Sequence, residues 1–142
     1  MSRFLSKADS ILAHLAPLDA ISGIDLSVNR QEDLLSQVNA NFEKASGQGA
    51  IIIKWLGGKN PDRKSNKLRM GGRYSISLWV QPILKDDATA ADDLIEAMGE
   101  HLHGWVDPAA PTNLRLEVES IDIVPDAPGY LVYEIIAETA RI

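Results

Sequence analysis

Three stretches of this 142-residue chain carry side chains that could do chemistry. The first is His101-Leu102-His103, two imidazoles that suggest a metal site. On a helix, residues two apart point about 200° away from each other. His101 then falls on the apolar side with Leu94, Met98 and Leu102, and His103 falls on the solvent side. The two rings cannot share one ion while the helix is wound, and His14 belongs to a different expected helix. A core-edge histidine and a helix-end histidine fit better, since a cation near a helix C-terminus is favourable. No metal and no cofactor are implied.

The second stretch is the acidic run "DDATAADD", residues 86–93. It reads as a helix N-cap followed by a charged first turn. Glu117 and Glu119 lie on the polar face of an expected strand, where solvation is the default. No Ser-His-Asp arrangement comes with a nucleophile motif such as G-x-S-x-G. The chain has no cysteine, which removes disulfides, thiolate ligands and thiol catalysis together.

The third stretch is "GGKNPDRKSNKLRMGG", residues 57–72, with basic Lys59, Arg63, Lys64, Lys67 and Arg69 against one acid, Asp62. It contributes +4 to a chain whose net charge is −6, so the remainder carries −10. A phosphate-cradling loop would need G-x-x-x-x-G-K-[ST] leading into a helix. Here the glycines precede the lysine and a strand follows. Base stacking would need interleaved aromatics, and the run has none. Broad nucleic-acid binding also needs positive potential over a wide footprint, which an acidic body denies. One narrow basic element can still meet an acidic partner, including a second copy of the chain. Lys59, Arg63, Lys64, Lys67, Arg69 and the neighbouring Arg73 are therefore the candidate interaction residues.

These stretches must be held by the elements around them. Apolar content of 45% and charged content of 24% suit one globular domain. The longest apolar runs are too short to span a bilayer, so no membrane partner is expected. The first fifteen residues read as an amphipathic helix rather than a signal peptide. That helix is expected over about 2–18, with Leu5, Ala8, Ile11, Leu12 and Leu15 on one stripe. Residues 19–29 suggest only a short extended piece with a turn at Gly23. A second helix is expected over about 30–45, with Asn29 as N-cap and Glu32 completing a capping box. Its inner side would carry Leu34, Leu35, Val38 and Phe42, and Gly47 would stop it.

"AIIIKWLGG" is β-branched, short and ended by glycine, and reads as a strand. About fourteen residues then separate it from "RYSISLWVQPIL". Connections that long usually serve a function or are disordered. Glycine pairs at both ends suggest hinges, and a mobile arm that orders on assembly would fit. The next strand alternates, with Tyr74, Ile76, Leu78 and Val80 opposite Ser75, Ser77 and Trp79. Pro82 places its end at a sheet edge or outside the ladder. A third helix over about 89–103 buries Leu94, Ile95, Met98, Leu102 and Trp105. "NLRLEVESIDIV" alternates and then changes phase near Glu119 and Ser120, which predicts a β-bulge. The last strand, "YLVYEIIAETARI", is apolar on both sides early on and reads as central. The expected fold is α+β: a four-stranded, largely antiparallel or mixed sheet with helices packed mainly on one face.

Taken in order, these elements resemble small phage tail-terminator proteins. They are similar to the minor tail protein U of lambdoid phages and to related tail proteins of Mu-like prophages. The likeness is carried by the amphipathic first helix, a strand and a long polar loop. It continues through "RYSISLWVQP", "ATAADDLIEAMGEHLHGW", "NLRLEVESIDIV" and "GYLVYEIIAETA". It covers residues 1–142 in order and length, and it rests on the succession of elements rather than on a catalytic signature. The resemblance implies a subunit that assembles as a hexameric ring, caps the tail tube and meets the head, without catalysis. Its partners would be further copies of itself, the tail tube and head-completion proteins. It would sit in the host cytoplasm during assembly and then in the virion tail. From the residues alone, a polyanion-binding module using the basic loop and a small enzyme with a cryptic site stay open.

Overall fold

The computed structural model describes residues 3–21, 24–30, 33, 36–40, 49–59, 71–80, 85–107, 114–124 and 130–141. The elements in chain order are helix α1 (Arg3–Leu15), a single 3-10 turn (Asp19–Ile21), strand β1 (Asp25–Val28) and helical residues 36–40 (α2). They continue with β2 (Ala50–Lys59), β3 (Gly71–Val80), α3 (Lys85–Leu102), β4 (Leu114–Ile123) and β5 (Leu131–Arg141). The strands form one five-stranded open sheet in the order β1-β2-β3-β5-β4. All neighbours are antiparallel except β1, which runs parallel to β2. The fold is α+β as expected, with one strand more than the four expected. The extra strand is four residues long, too short for its alternation to stand out in sequence.

Alternation divides the sheet residues between two faces. Ile51, Ile53, Tyr74, Ile76, Leu78, Leu116, Tyr133, Ile135 and Ala137 form one buried cluster with Ala8, Ile11 and Leu15 of α1 and Ile95, Met98 and Leu102 of α3. Each fully buried aliphatic side chain there stabilises the fold by roughly 1.5–3 kcal/mol. On the opposite face a smaller cluster joins Val38 of α2 to Ala50, Ile52, Trp79 and Val132. Two helices thus cover one face and one helix meets the other. Strand β5 lies inside the sheet, as its two-sided apolar start requires. The register of β4 on β5 shifts between Val118 and Ser120, which places the predicted bulge at Glu119. Strand β3 ends at Val80, two residues before Pro82.

The second helix begins later than the sequence suggests. The Asp33 carbonyl accepts the Gln37 N–H at 3.0 Å, and its carboxylate accepts the Ser36 N–H at 3.1 Å. Asp33 is therefore the N-cap, and the Ser36 hydroxyl, donating to its carboxylate at 2.7 Å, together with the Ser36 N–H holds that carboxyl below the usual carboxylate range. Asn29 is not the cap because it has other work. Its N–H donates to Ile53 O at 2.8 Å, extending the β1–β2 pairing, and its side-chain amide donates to Gln37 Oε1 at 2.7 Å. Helix α3 starts at Lys85 rather than near Thr89, so residues 86 and 87 fall in its first turn. Leu34, Leu35, Phe42 and Gly47 lie outside the described residues.

Candidate functional site

The histidines fall where helical spacing put them, and the fold gives them a structural task. His101 is half-buried on the core side of α3 and His103 is exposed. Helix α1 brings His14 against His101, with ring centroids 4.1 Å apart and planes 11° from parallel. Trp105 stacks on the other side of His14 at 4.2 Å. His14 Nε2 donates to His101 O at 3.0 Å, and His101 Nε2 donates to His14 O at 2.8 Å. These reciprocal bonds tie the ends of the two helices together and occupy one nitrogen of each ring. Burial is the main reason that the His14 pKa lies below its ordinary 6.5. His103 Nδ1 accepts the Val118 N–H at 3.0 Å. Among the described residues no group of three or more His, Asp or Glu side chains could hold a metal ion. The link between His14 and His101 spans 87 positions, so no local pattern could have revealed it.

The basic candidates divide by position. Lys59 is the last residue of β2, paired with Gly71. Arg63, Lys64, Lys67 and Arg69 lie outside the described residues. Arg73 sits on the sheet, where its guanidinium meets Glu119 at 3.3 and 3.4 Å. The glycines read as hinges belong to the β2–β3 ladder, with Gly57 opposite Arg73, Gly58 opposite Gly72 and Lys59 opposite Gly71. Gly57 takes φ +109° where the register shifts, a conformation that only glycine adopts cheaply. A Cβ on Gly72 would lie 2.6 Å from the buried Tyr74 ring. The Gly72 N–H also donates to Thr139 Oγ1 at 2.7 Å. The ladder therefore carries these glycines for bulge geometry and close approach rather than for free rotation.

The outer ends of the sheet hold what the sequence did not single out. On one side β1 ends opposite Ile53. Asn29 carries the pairing one residue further, and residues 55–59 of β2 continue without a neighbouring strand on that side among the described residues; the side chains of Lys54 and Leu56 are exposed. On the other side the first half of β4 is covered. Leu116 N donates to Trp105 O at 2.8 Å, Gly104 N donates to Leu116 O at 2.8 Å, and Val106 bridges Arg115. Among the described residues that cover stops after the bulge, and Ile121 is 42% and Ile123 60% exposed.

The polar face beside β4 is acidic in two steps. Glu117 stands directly opposite Glu138, a repulsive placement in itself. Arg115 on Glu117 and Arg73 on Glu119 offset it. Further along, Asp122 stands directly opposite Glu134. Glu134 accepts the Ser75 hydroxyl at 2.7 Å, but neither acid has an ion-pair partner among the described residues. No protein-family model matches the chain, and no curated protein matches it at a significant level.

Proposed function

We propose that this protein is a structural subunit of a phage or prophage tail, a terminator that assembles as a ring at the end of the tail tube and helps join tail to head. The observation that carries this reading is the division of charge: a run of +4 over residues 57–72, from the end of β2 to the start of β3, and −10 on the rest of the chain. Such a molecule presents complementary surfaces to its own copies. Its contacts would be heterologous, and rotation would close them into a ring. Lys59, Arg63, Lys64, Lys67 and Arg69 supply the positive side, and catalysis has no part in the role.

Native mass spectrometry and light scattering over a range of protein concentration, with and without tail tubes, test it. The expected result is a discrete closed oligomer that weakens as salt rises. A strict monomer that neither assembles nor binds tubes rejects the reading.

A further inference from the structure

We propose that the sheet continues from one copy of this chain to the next, with the free half of β4 pairing with the free half of β2. The inference deepens the ring reading and rests on it for the identity of the partner, a second copy of the same chain.

Among the described residues neither half-edge has a neighbour, and the two are complementary. The Val124 N–H donates inward to Val132 O at 2.9 Å. Alternation along an antiparallel ladder then turns the backbone N–H and C=O groups of Ile121 and Ile123 outward. Their side chains are apolar and exposed, and a long apolar strand edge is a ready template for another strand. The β2 half-edge lies on the far side of the same sheet, beyond the point where β1 stops.

Direction and charge agree with this pairing. In the order β1-β2-β3-β5-β4, β2 and β4 run in opposite senses. Copies that keep the same orientation therefore meet with β4 antiparallel to β2. Lys54 and Asp122 both lie on the face opposite α1 and α3, because they pair with Ser75 and Glu134 on that face. A continuous sheet that starts past Asn29 brings Lys54 onto the diagonal of Asp122, which like Glu134 has no ion-pair partner among the described residues. An opposite-charge cross-strand pair replaces a repulsive one.

The two free halves sit at opposite ends of the sheet, so the contact is staggered along the strands. A staggered contact closes only if the strands tilt against the ring axis, as in a barrel. Without tilt the same contact builds an open filament.

The test uses two full-length variants, each checked by circular dichroism for a wild-type fold. Ile123→Asp disables the β4 side, and Lys54→Glu/Leu56→Glu disables the β2 side. Each alone should weaken self-association roughly tenfold or more, the size of a central interface contact. Mixed together they should form a heterodimer and nothing larger, because one intact pairing remains. Hydrogen exchange at the Ile121 and Ile123 amides should slow on assembly of the wild type. Asp122→Lys should weaken assembly and Lys54→Glu should partly restore it. If both variants assemble like wild type, the inference falls and the ring reading stands. If Lys54→Glu/Leu56→Glu copies still pair with one another, a symmetric β4 contact replaces it. An open filament blocked by both variants keeps the pairing and sinks the ring. A wild type that stays monomeric with and without tail tubes overturns both.

Discussion

The two sides of the sheet are each half closed, and they are closed by different means. On the β1 side the cover is a strand, fixed by a buried amide network. Asn29 donates to Gln37 Oε1 at 2.7 Å, while Gln37 Nε2 donates to Ser27 Oγ at 2.9 Å and to Val28 O at 3.3 Å. On the β4 side the cover is a turn of chain after α3, held by three backbone-directed bonds and by the stack of Trp105, His14 and His101. A four-residue strand held by buried polar groups is specific and costly to disturb. A turn held by rings at the surface is cheaper to disturb. The difference predicts a firm side and a yielding side.

The largest effect should come from the firm side. Gln37→Ala removes the acceptor of the Asn29 amide and the donor to the Val28 carbonyl, all in buried surroundings. Losing partners of buried polar groups costs about 1–3 kcal/mol each way. Chemical denaturation should show a loss of about 2 kcal/mol. A loss below about 0.5 kcal/mol, typical of an ordinary surface site, would mean that β1 is held by its backbone pairing alone and that the contrast between the sides is false.

How much of this contrast the sequence announced depends on the range of the signal. Strands β2 to β5, the bulge at Glu119 and the buried stripe of α3 follow from alternation and helical periodicity, both local patterns. The orientation of His101 and His103 came from the same source. Strand β1 escaped because four residues hold too little pattern, and its pairing with β2 is set by residues about 25 positions away. Asn29 was read as a cap because Asn is a good one. Tertiary bonds to Ile53 and Gln37 took it instead, and Asp33 capped the helix. The glycines at 57–58 and 71–72 were read as hinges from composition. Only the ladder and the Tyr74 ring over Gly72 show that paired backbone needs them. The facing acids on β4 and β5, which have no ion-pair partner among the described residues, were not legible, since facing pairs depend on register.

A smaller effect belongs to the yielding side and should depend on pH. Burial lowers the His14 pKa below 6.5 in the folded protein. The unfolded chain then binds a proton more readily than the folded one between the lowered value and 6.5, so stability rises with pH there. The contribution is complete above 6.5 and is lost as pH falls through the folded value. The bond to the His101 carbonyl favours a positive charge on His14, the stacked His101 ring opposes it, and Asp107 favours it. Acid should loosen the Trp105 turn and speed exchange at the Leu116 and Val118 amides before β2 and β3 respond. The change should be smaller than the Gln37 loss, because the His14 ring still meets solvent that screens it. His14→Gln should flatten the pH dependence; an unchanged slope would remove His14 as its source.

The smallest effect on the single subunit should come from Ile123→Asp. Ile123 is 60% exposed at the end of an edge strand, so replacing it removes little buried area and opens no cavity. Asp has poor strand propensity, which adds a modest cost at this exposed edge. Monomer stability at low concentration should therefore stay within about 0.5 kcal/mol of wild type. Self-association should fall by roughly tenfold or more. That separation is what distinguishes an edge left open for a neighbour from one that merely frays. If stability fell as far as it does for Gln37→Ala, Ile123 would be serving its own subunit. The open half of β4 would then be as firmly part of the fold as the β1 side.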